Sequence, residues 1–152
     1  MSQFFRASVG AVIINRHGQV LALERTDSPG SWQFPQGGID EGEEPLTAVL
    51  REVREETGIA AGELLLVREH PRLLSYELPP AWRSPKVGRG QTQRWFLFRL
   101  RREEAISLPS PGEFRAWRWL AFPELLPLTA DFRRPIYQEL AIEFTELHGN
   151  QD

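Results

Sequence analysis

The chain has 152 residues, the length of one domain with a substantial core. Its 41% hydrophobic and 26% charged residues are ordinary for a globular protein, and without a single cysteine it can have no disulfide framework, thiol nucleophile or thiolate zinc site. A net charge of −3 argues at first against a nucleic-acid partner, and no apolar run is long enough to span a bilayer.

Ala7–Asn15 (ASVGAVIIN) is apolar and β-branched and predicts a buried strand. The same stretch is therefore read as structure rather than as a signal peptide, and a cytoplasmic protein is expected. Arg16-His17-Gly18 makes a turn, with Gln19–Arg25 (QVLALER) as the hairpin partner, and Asp27–Gly30 is a loop. Trp32-Gln33-Phe34-Pro35-Gln36 then leads into the stretch around which the chain is organised, Gly37–Ile59: GGIDEGEEPLTAVLREVREETGI.

The middle of this stretch predicts a helix. Pro45 suits a first helical position and Gly58 a C-terminal stop. Leu46, Val49, Leu50 and Val53 recur at i, i+3, i+4, i+7, an apolar stripe for a core. Glu52, Glu55 and Glu56 fall on another face, and Arg51 can pair with Glu55 at i, i+4. Three carboxylates on one face leave two readings. Either the face is solvated, or a cation sits there, and hard oxygen donors suit Mg²⁺ or Mn²⁺ rather than zinc. Gly37 and Gly38 let backbone come close to a ligand or metal. The stretch holds seven acids and two arginines, so the remainder of the chain is net basic by two, a balance that suits a polyphosphate ligand.

Further on, Glu63–Glu69 predicts a strand and Leu73–Leu78, around Tyr76, another that Pro79-Pro80 ends. Pro79–Gly90 (PPAWRSPKVGRG) reads as an exposed loop carrying Arg83, Lys86 and Arg89. Gln91–Leu100 and Glu113–Leu120 are strands, Phe122–Leu128 a short helix or turn, and Asp131–Leu147 an amphipathic helix with Ile136, Leu140 and Phe144 on one stripe.

Gly37, Glu43, Arg51, Glu52, Val53, Glu55, Glu56, Gly58 and Ile59 match every specified position of the Nudix hydrolase signature, and the chain resembles that family from Arg6 to about Phe144. WQFPQGGIDEGE is similar to the branch with bacterial RNA pyrophosphohydrolases and asymmetric diadenosine tetraphosphate hydrolases. So are Gly90, Gln91, Gln93, Arg94, Trp95 and Phe96, with Thr92 where a basic residue is common. The resemblance implies an α/β/α sandwich with a mixed central sheet. It implies that the carbonyl of Gly37 and the carboxylates of Glu52, Glu55 and Glu56 hold divalent metal, Mg²⁺ with Mn²⁺ as a substitute. Arg51 would orient a glutamate, with Glu43 in support. Glu113, ahead of Phe114, Trp117 and Trp119, would reach back as a further metal ligand or base; as a plain residue it reads as a surface glutamate. Substrate contacts are expected from Arg6, Arg25, Tyr76, Arg94, Phe132 and Arg133, with Phe132 stacking on a base or simply capping its helix.

The implied reaction is hydrolysis of a phosphoanhydride. The leading substrate is the 5′-terminal polyphosphate of RNA, cut to leave a 5′-monophosphate. The alternatives are a dinucleoside polyphosphate such as diadenosine tetraphosphate, a housecleaning nucleoside triphosphatase and a domain that only binds a nucleotide. Neither the oligomeric state nor the acting base is legible.

Overall fold

The computed structural model describes residues 4–102 and 106–148. Among the described residues eight strands form one mixed sheet: β1 (Phe5–Ile14), β2 (Val20–Arg25), β3 (Trp32–Gln33), β4 (Gln36–Gly38), β5 (Leu64–Glu69), β6 (Leu74–Glu77), β7 (Gly90–Leu100) and β8 (Phe114–Leu120). β1 is its spine, running parallel to β7 from Phe5↔Gly90 to Ile14↔Arg99 and antiparallel to β4 at Ser8–Gly10. β5 and β6 add to the far edge of β7.

The expected hairpin of the first two strands is formed only at its base, Ile14↔Val20. Beyond it β2 diverges and pairs with β8 along Val20–Arg25 and with β3 at Leu23 and Glu24. The reason is competition for the edge of β1, which β4 occupies at Ser8–Gly10.

Apolar side chains cover both faces of the sheet. One face meets helix α1 (Pro45–Thr57) through Val9, Ala11, Ile13, Leu21, Leu23, Val49, Val53, Phe96 and Phe98. The other meets the short helix α2 (Phe122–Leu125) and helix α3 (Arg134–Glu143) through Val12, Phe34, Trp95, Ile136, Tyr137 and Leu140. The architecture is therefore the expected α/β/α sandwich.

Helix α1 begins at its proline and stops at Gly58, whose φ of 76° is left-handed and whose N–H donates to the Arg54 carbonyl at 2.9 Å. Its buried stripe is rotated from the one the spacing predicts. Val49 and Val53 are buried as expected and Leu50 packs partly against the core, but Leu46 is 39% exposed, and Ala48, Glu56 and Thr57 are buried as well. The third glutamate thus points into the fold. The last helix is shorter than Asp131–Leu147: Asp131 to Arg133 form turns, and Thr145–His148 is a separate 3₁₀ turn. Among the described residues no helix is long and apolar enough to cross a membrane.

Three fully buried rings lock the second layer to the sheet. Phe34 lies 4.5 Å from Tyr137 and 5.9 Å from Trp95, between ring centres, and the Phe34 N–H donates to the Tyr137 hydroxyl at 2.9 Å. Tyr137→Phe keeps the rings and orphans that buried N–H, which costs about 1–3 kcal/mol. Denaturant unfolding is expected to show a lower midpoint with an unchanged slope; equal stability of the two proteins would contradict this reading of the contact.

Candidate active site

Glu52, Glu55 and Glu56, from the C-terminal half of α1, line a cleft of about 250 Å³ together with Pro109, Gly112, Glu113 and Phe114. Helical spacing brings the first three together; the fourth arrives through tertiary contacts. The segment before Glu113 is tied to the end of α1 where the Ser107 N–H donates to the Thr57 carbonyl at 2.7 Å. It is tied again to the end of β2, where the Thr26 N–H donates to the Glu113 carbonyl and the Thr26 hydroxyl to the Gly112 carbonyl, both at 2.9 Å.

The four carboxylates differ sharply in surroundings. Glu56 is 6% exposed, and the Gln36 N–H of β4 donates to its Oε1 at 3.2 Å. Burial pushes its carboxyl well above the usual range, and the neighbouring charges of Glu113 and Glu52 push the same way. Burial also raises Glu52, against the pull of Arg51. Glu113 is raised chiefly by burial, with Arg25, whose Nη1 is 3.8 Å from its Oε2, opposing. The side chains of Glu55 and Glu113 are 58% and 52% exposed, and each meets an arginine, Glu55 at Arg51 and Glu113 at Arg25.

Arg51 organises the cleft's rim. Its Nε and Nη2 donate to the two oxygens of Glu43 at 2.8 and 2.9 Å, and its Nη1 to Glu52 at 2.9 Å and Glu55 at 3.2 Å. Nη2 also donates to the Gly38 carbonyl at 2.9 Å, joining helix to strand. The fork-on-fork pairing holds the Glu43 carboxyl down to about 2, so Glu43 stays ionised and acts as the anchor for Arg51. Gly37 sits so close to Glu52 that any Cβ there would overlap the carboxylate.

A second surface lies on the other side of β4. Gln36 Nε2 donates to the Tyr76 hydroxyl at 3.3 Å, and Gln93 Nε2 donates to Gln36 Oε1 at 3.3 Å. Trp95 Nε1 donates to Gln93 Oε1 at 3.1 Å. Tyr76 in turn packs against Phe132 with ring centres 5.4 Å apart, and the Arg133 guanidinium lies 4.6 Å over the Phe132 ring. Arg133 is 5% exposed, and neither its Nε nor its Nη1 has a partner among the described residues. A permanently charged group so placed calls for an anion.

The structure thus gathers Gly37, Arg51, Glu52, Glu55, Glu56 and Glu113 at the cleft. Tyr76, Phe132 and Arg133 form the adjoining wall. Arg25 stands between, held by Asp27 through two bonds of 2.8 Å and donating to Gln33 at 3.1 Å. Arg6 lays its guanidinium against Gly38. Arg94 is not brought to either surface. Strand alternation turns it, with Phe96, to the α1 face, where it pairs with Glu69 at 2.8 Å beside Glu44, Pro45 and Leu46. In the basic loop, Arg83 and Arg89 reach Glu77 at 3.4 and 2.8 Å and so brace the loop's own base. Reading by motif left the glutamines without a role, although their alternation at 91 and 93 on one strand face was visible. It also passed over Asp27, two residues from the arginine it holds.

Among the described residues no three acidic or histidine side chains converge closely enough to hold a metal as they stand. The donor set nonetheless fits a hard divalent cation. All donors are oxygens, Glu56 is buried with like charges near it, and Gly37 leaves its carbonyl strand against Glu52 with no side chain between.

A family model described as the NUDIX domain matches residues 4–140. The chain is similar to an RNA pyrophosphohydrolase of Cereibacter sphaeroides, at 43% identity over 146 residues that cover 92% of this chain and 90% of that protein. It is similar to Nudix hydrolase 25 of Arabidopsis thaliana, at 39% identity over 92% of this chain and 86% of that protein. Among solved structures it is similar to the E. coli dihydroneopterin triphosphate pyrophosphohydrolase, with TM-score 0.74 and 31% identity over 93% of this chain and 99% of that one.

The raised carboxyl of Glu56 has a sign that can be tested in metal-free protein. The native state keeps the proton to higher pH than the unfolded chain, whose value is near 4.5. Stability is full below that value and is lost as pH rises through the native one. With a chelator present, denaturant unfolding at about pH 5 and about pH 8 should show a clear loss for the wild type and a smaller one for Glu56→Gln. Equal losses would mean that Glu56 is not the strained carboxylate.

Proposed function

The chain belongs to the Nudix family, and on that premise we propose that it is a pyrophosphohydrolase acting on the 5′-terminal polyphosphate of RNA. It removes phosphate or pyrophosphate to leave a 5′-monophosphate, with Mg²⁺ as the working cation and Mn²⁺ as a substitute. The whole chain is read as a single domain of this family, working in the cytoplasm. The observation that carries the assignment is the adjacency of two chemically different surfaces. Glu56 and Tyr76 are both bonded to Gln36, so an acidic cleft for a metal–phosphate group adjoins an aromatic wall with a buried guanidinium. Identity of 43% to an RNA pyrophosphohydrolase, over most of both chains, supports the same substrate.

Glu52, Glu55, Glu56, Glu113 and the Gly37 carbonyl would hold the divalent cation, which when bound would supply positive charge to the polyphosphate and acidify water. The protein's own groups do the rest. Arg51, fixed by Glu43, holds Glu52 in place from the rim. A cleft carboxylate accepts the proton of the attacking water as its oxygen bonds to phosphorus and the bond to the departing phosphate breaks. Glu56 and Glu113, whose carboxyls burial raises above the usual range, are the two candidates for this. Arg133, buried with Nε and Nη1 unpartnered among the described residues, gives the wall its positive charge towards phosphate, and the partly exposed Phe132 beside it would stack on a base.

With Mg²⁺ and equal concentrations of 5′-triphosphorylated RNA and diadenosine tetraphosphate, kcat/KM is expected to be higher for the RNA. A large preference for the dinucleotide would overturn the assignment in favour of dinucleoside polyphosphate hydrolysis. Tight nucleotide binding without turnover on either substrate would instead mark a regulatory domain. Glu56→Gln is expected to lower kcat at least roughly a hundredfold while the protein stays folded by circular dichroism. Unchanged kcat would remove Glu56 from the catalytic set. Phe132→Ala should raise KM for RNA several-fold more than for inorganic tripolyphosphate, which has no base to stack; equal effects would deny the ring a role in base binding.

A further inference from the structure

The loop between β6 and β7 carries a ring that the reading above leaves unused. Trp82 closes the 3₁₀ turn Pro80–Trp82, stiffened by Pro79 and Pro80 and by the Trp82 N–H donating to the Pro79 carbonyl at 2.9 Å. The Arg83 Nε donates to the Leu78 carbonyl at 2.9 Å and clamps the turn to the end of β6. The indole is thus displayed on a rigid support, yet it is 49% exposed and outside both core layers.

Its ring contact among the described residues is with Phe132, edge to face at 5.2 Å. Phe132 is half-buried and enclosed on several sides: Tyr76 at 5.4 Å, Trp82 at 5.2 Å and the Arg133 guanidinium at 4.6 Å. The ring singled out by its sequence motif is partly buried, whereas Trp82, the outer ring of the group, is 49% exposed. Lys86, four residues on in the same loop, is also exposed. From the cleft outward the contacts run without a gap: Glu56 to Gln36, Gln36 to Tyr76, Tyr76 to Phe132, Phe132 to Trp82.

We propose that Trp82 is the outer stacking platform for an unpaired nucleobase of the RNA, and that Phe132 braces it from behind. This rests on the RNA reading given above and extends it to the nucleotides beyond the phosphates. An RNA end with its phosphates at the carboxylates runs along the aromatic wall and meets the open indole face. Every base presents a π face, so the platform selects for an unpaired strand and not for a particular base. A duplex end, whose bases are already stacked and paired, gains nothing from it.

The test separates stacking from simple shielding of Phe132. Trp82→Leu keeps an apolar cover without a π face, and Trp82→Phe keeps a π face. Binding of a single-stranded 5′-monophosphorylated tetranucleotide and of inorganic pyrophosphate, a base-free probe, is measured calorimetrically for both variants and the wild type. Trp82→Leu is expected to weaken the tetranucleotide roughly tenfold while pyrophosphate changes by less than about twofold, and Trp82→Phe to restore most of the affinity. Wild-type affinity in Trp82→Leu, equal weakness in Trp82→Phe, or a parallel loss for pyrophosphate would each overturn the proposal. These readings need no turnover. Failure of the wild type to hydrolyse triphosphorylated RNA is therefore a separate result, one that would sink the substrate assignment and leave the stacking measurement legible.

Discussion

Glu56 is a carboxylate placed where its charge is hardest to keep. It is all but sealed from water, has other carboxylates near it, and draws a hydrogen bond from the backbone of β4. Removing such a group from water costs several kcal/mol unless something compensates it. The rest of the site follows from that placement. For Gln36 to offer its N–H, β4 must pair with β1, and that pairing displaces β2 from most of β1. Glu56 reaches it from the buried face of α1, while Leu46, near the helix start, is 39% exposed. For Glu52 to lie beside the strand, residue 37 must have no side chain.

Arg51 makes this crowding tolerable. One guanidinium meets Glu43, Glu52, Glu55 and the Gly38 carbonyl, so helix, loop and strand share one positive charge. A lysine could satisfy only part of that set, because its donors do not form a planar fork. Glu43, fully ionised and bonded also to the Asp40 N–H, keeps the guanidinium from swinging toward solvent. The net result is a cleft whose negative charge is partly balanced at the rim and unbalanced at the floor, an arrangement that draws in a cation and the phosphates that accompany it.

The buried glutamines explain how acidic and aromatic chemistry can sit side by side in so small a chain. Alternation along β7 sends Gln91, Gln93 and Trp95 to one face and Arg94 and Phe96 to the other. On the first face, amide groups able to donate and accept at once join Gln36, Tyr76 and Trp95 into a satisfied polar network inside the core. Because Gln36 belongs to both this network and the bond to Glu56, the two surfaces share a rigid member and hold a set spacing.

Local features of the chain were enough to determine α1 with its proline start and glycine stop, the identity of most strands, and the helical clustering of three glutamates beside Arg51. These depend on spacing and on single-residue conformational limits, which a sequence carries openly. The arrival of Glu113, tethered through Ser107 and Thr26, was legible only by resemblance, since its distance along the chain from the helix hides the contact. Several things were decided by tertiary structure alone: the rotation that buries Glu56, the diversion of Arg94 to Glu69, the capture of Arg83 and Arg89 by Glu77, and the standing of Trp82 at the outer edge of the aromatic group. The physical reason is common to all four. Each is settled by which neighbour from a distant part of the chain competes for a side chain, and neither periodicity nor composition contains that competition.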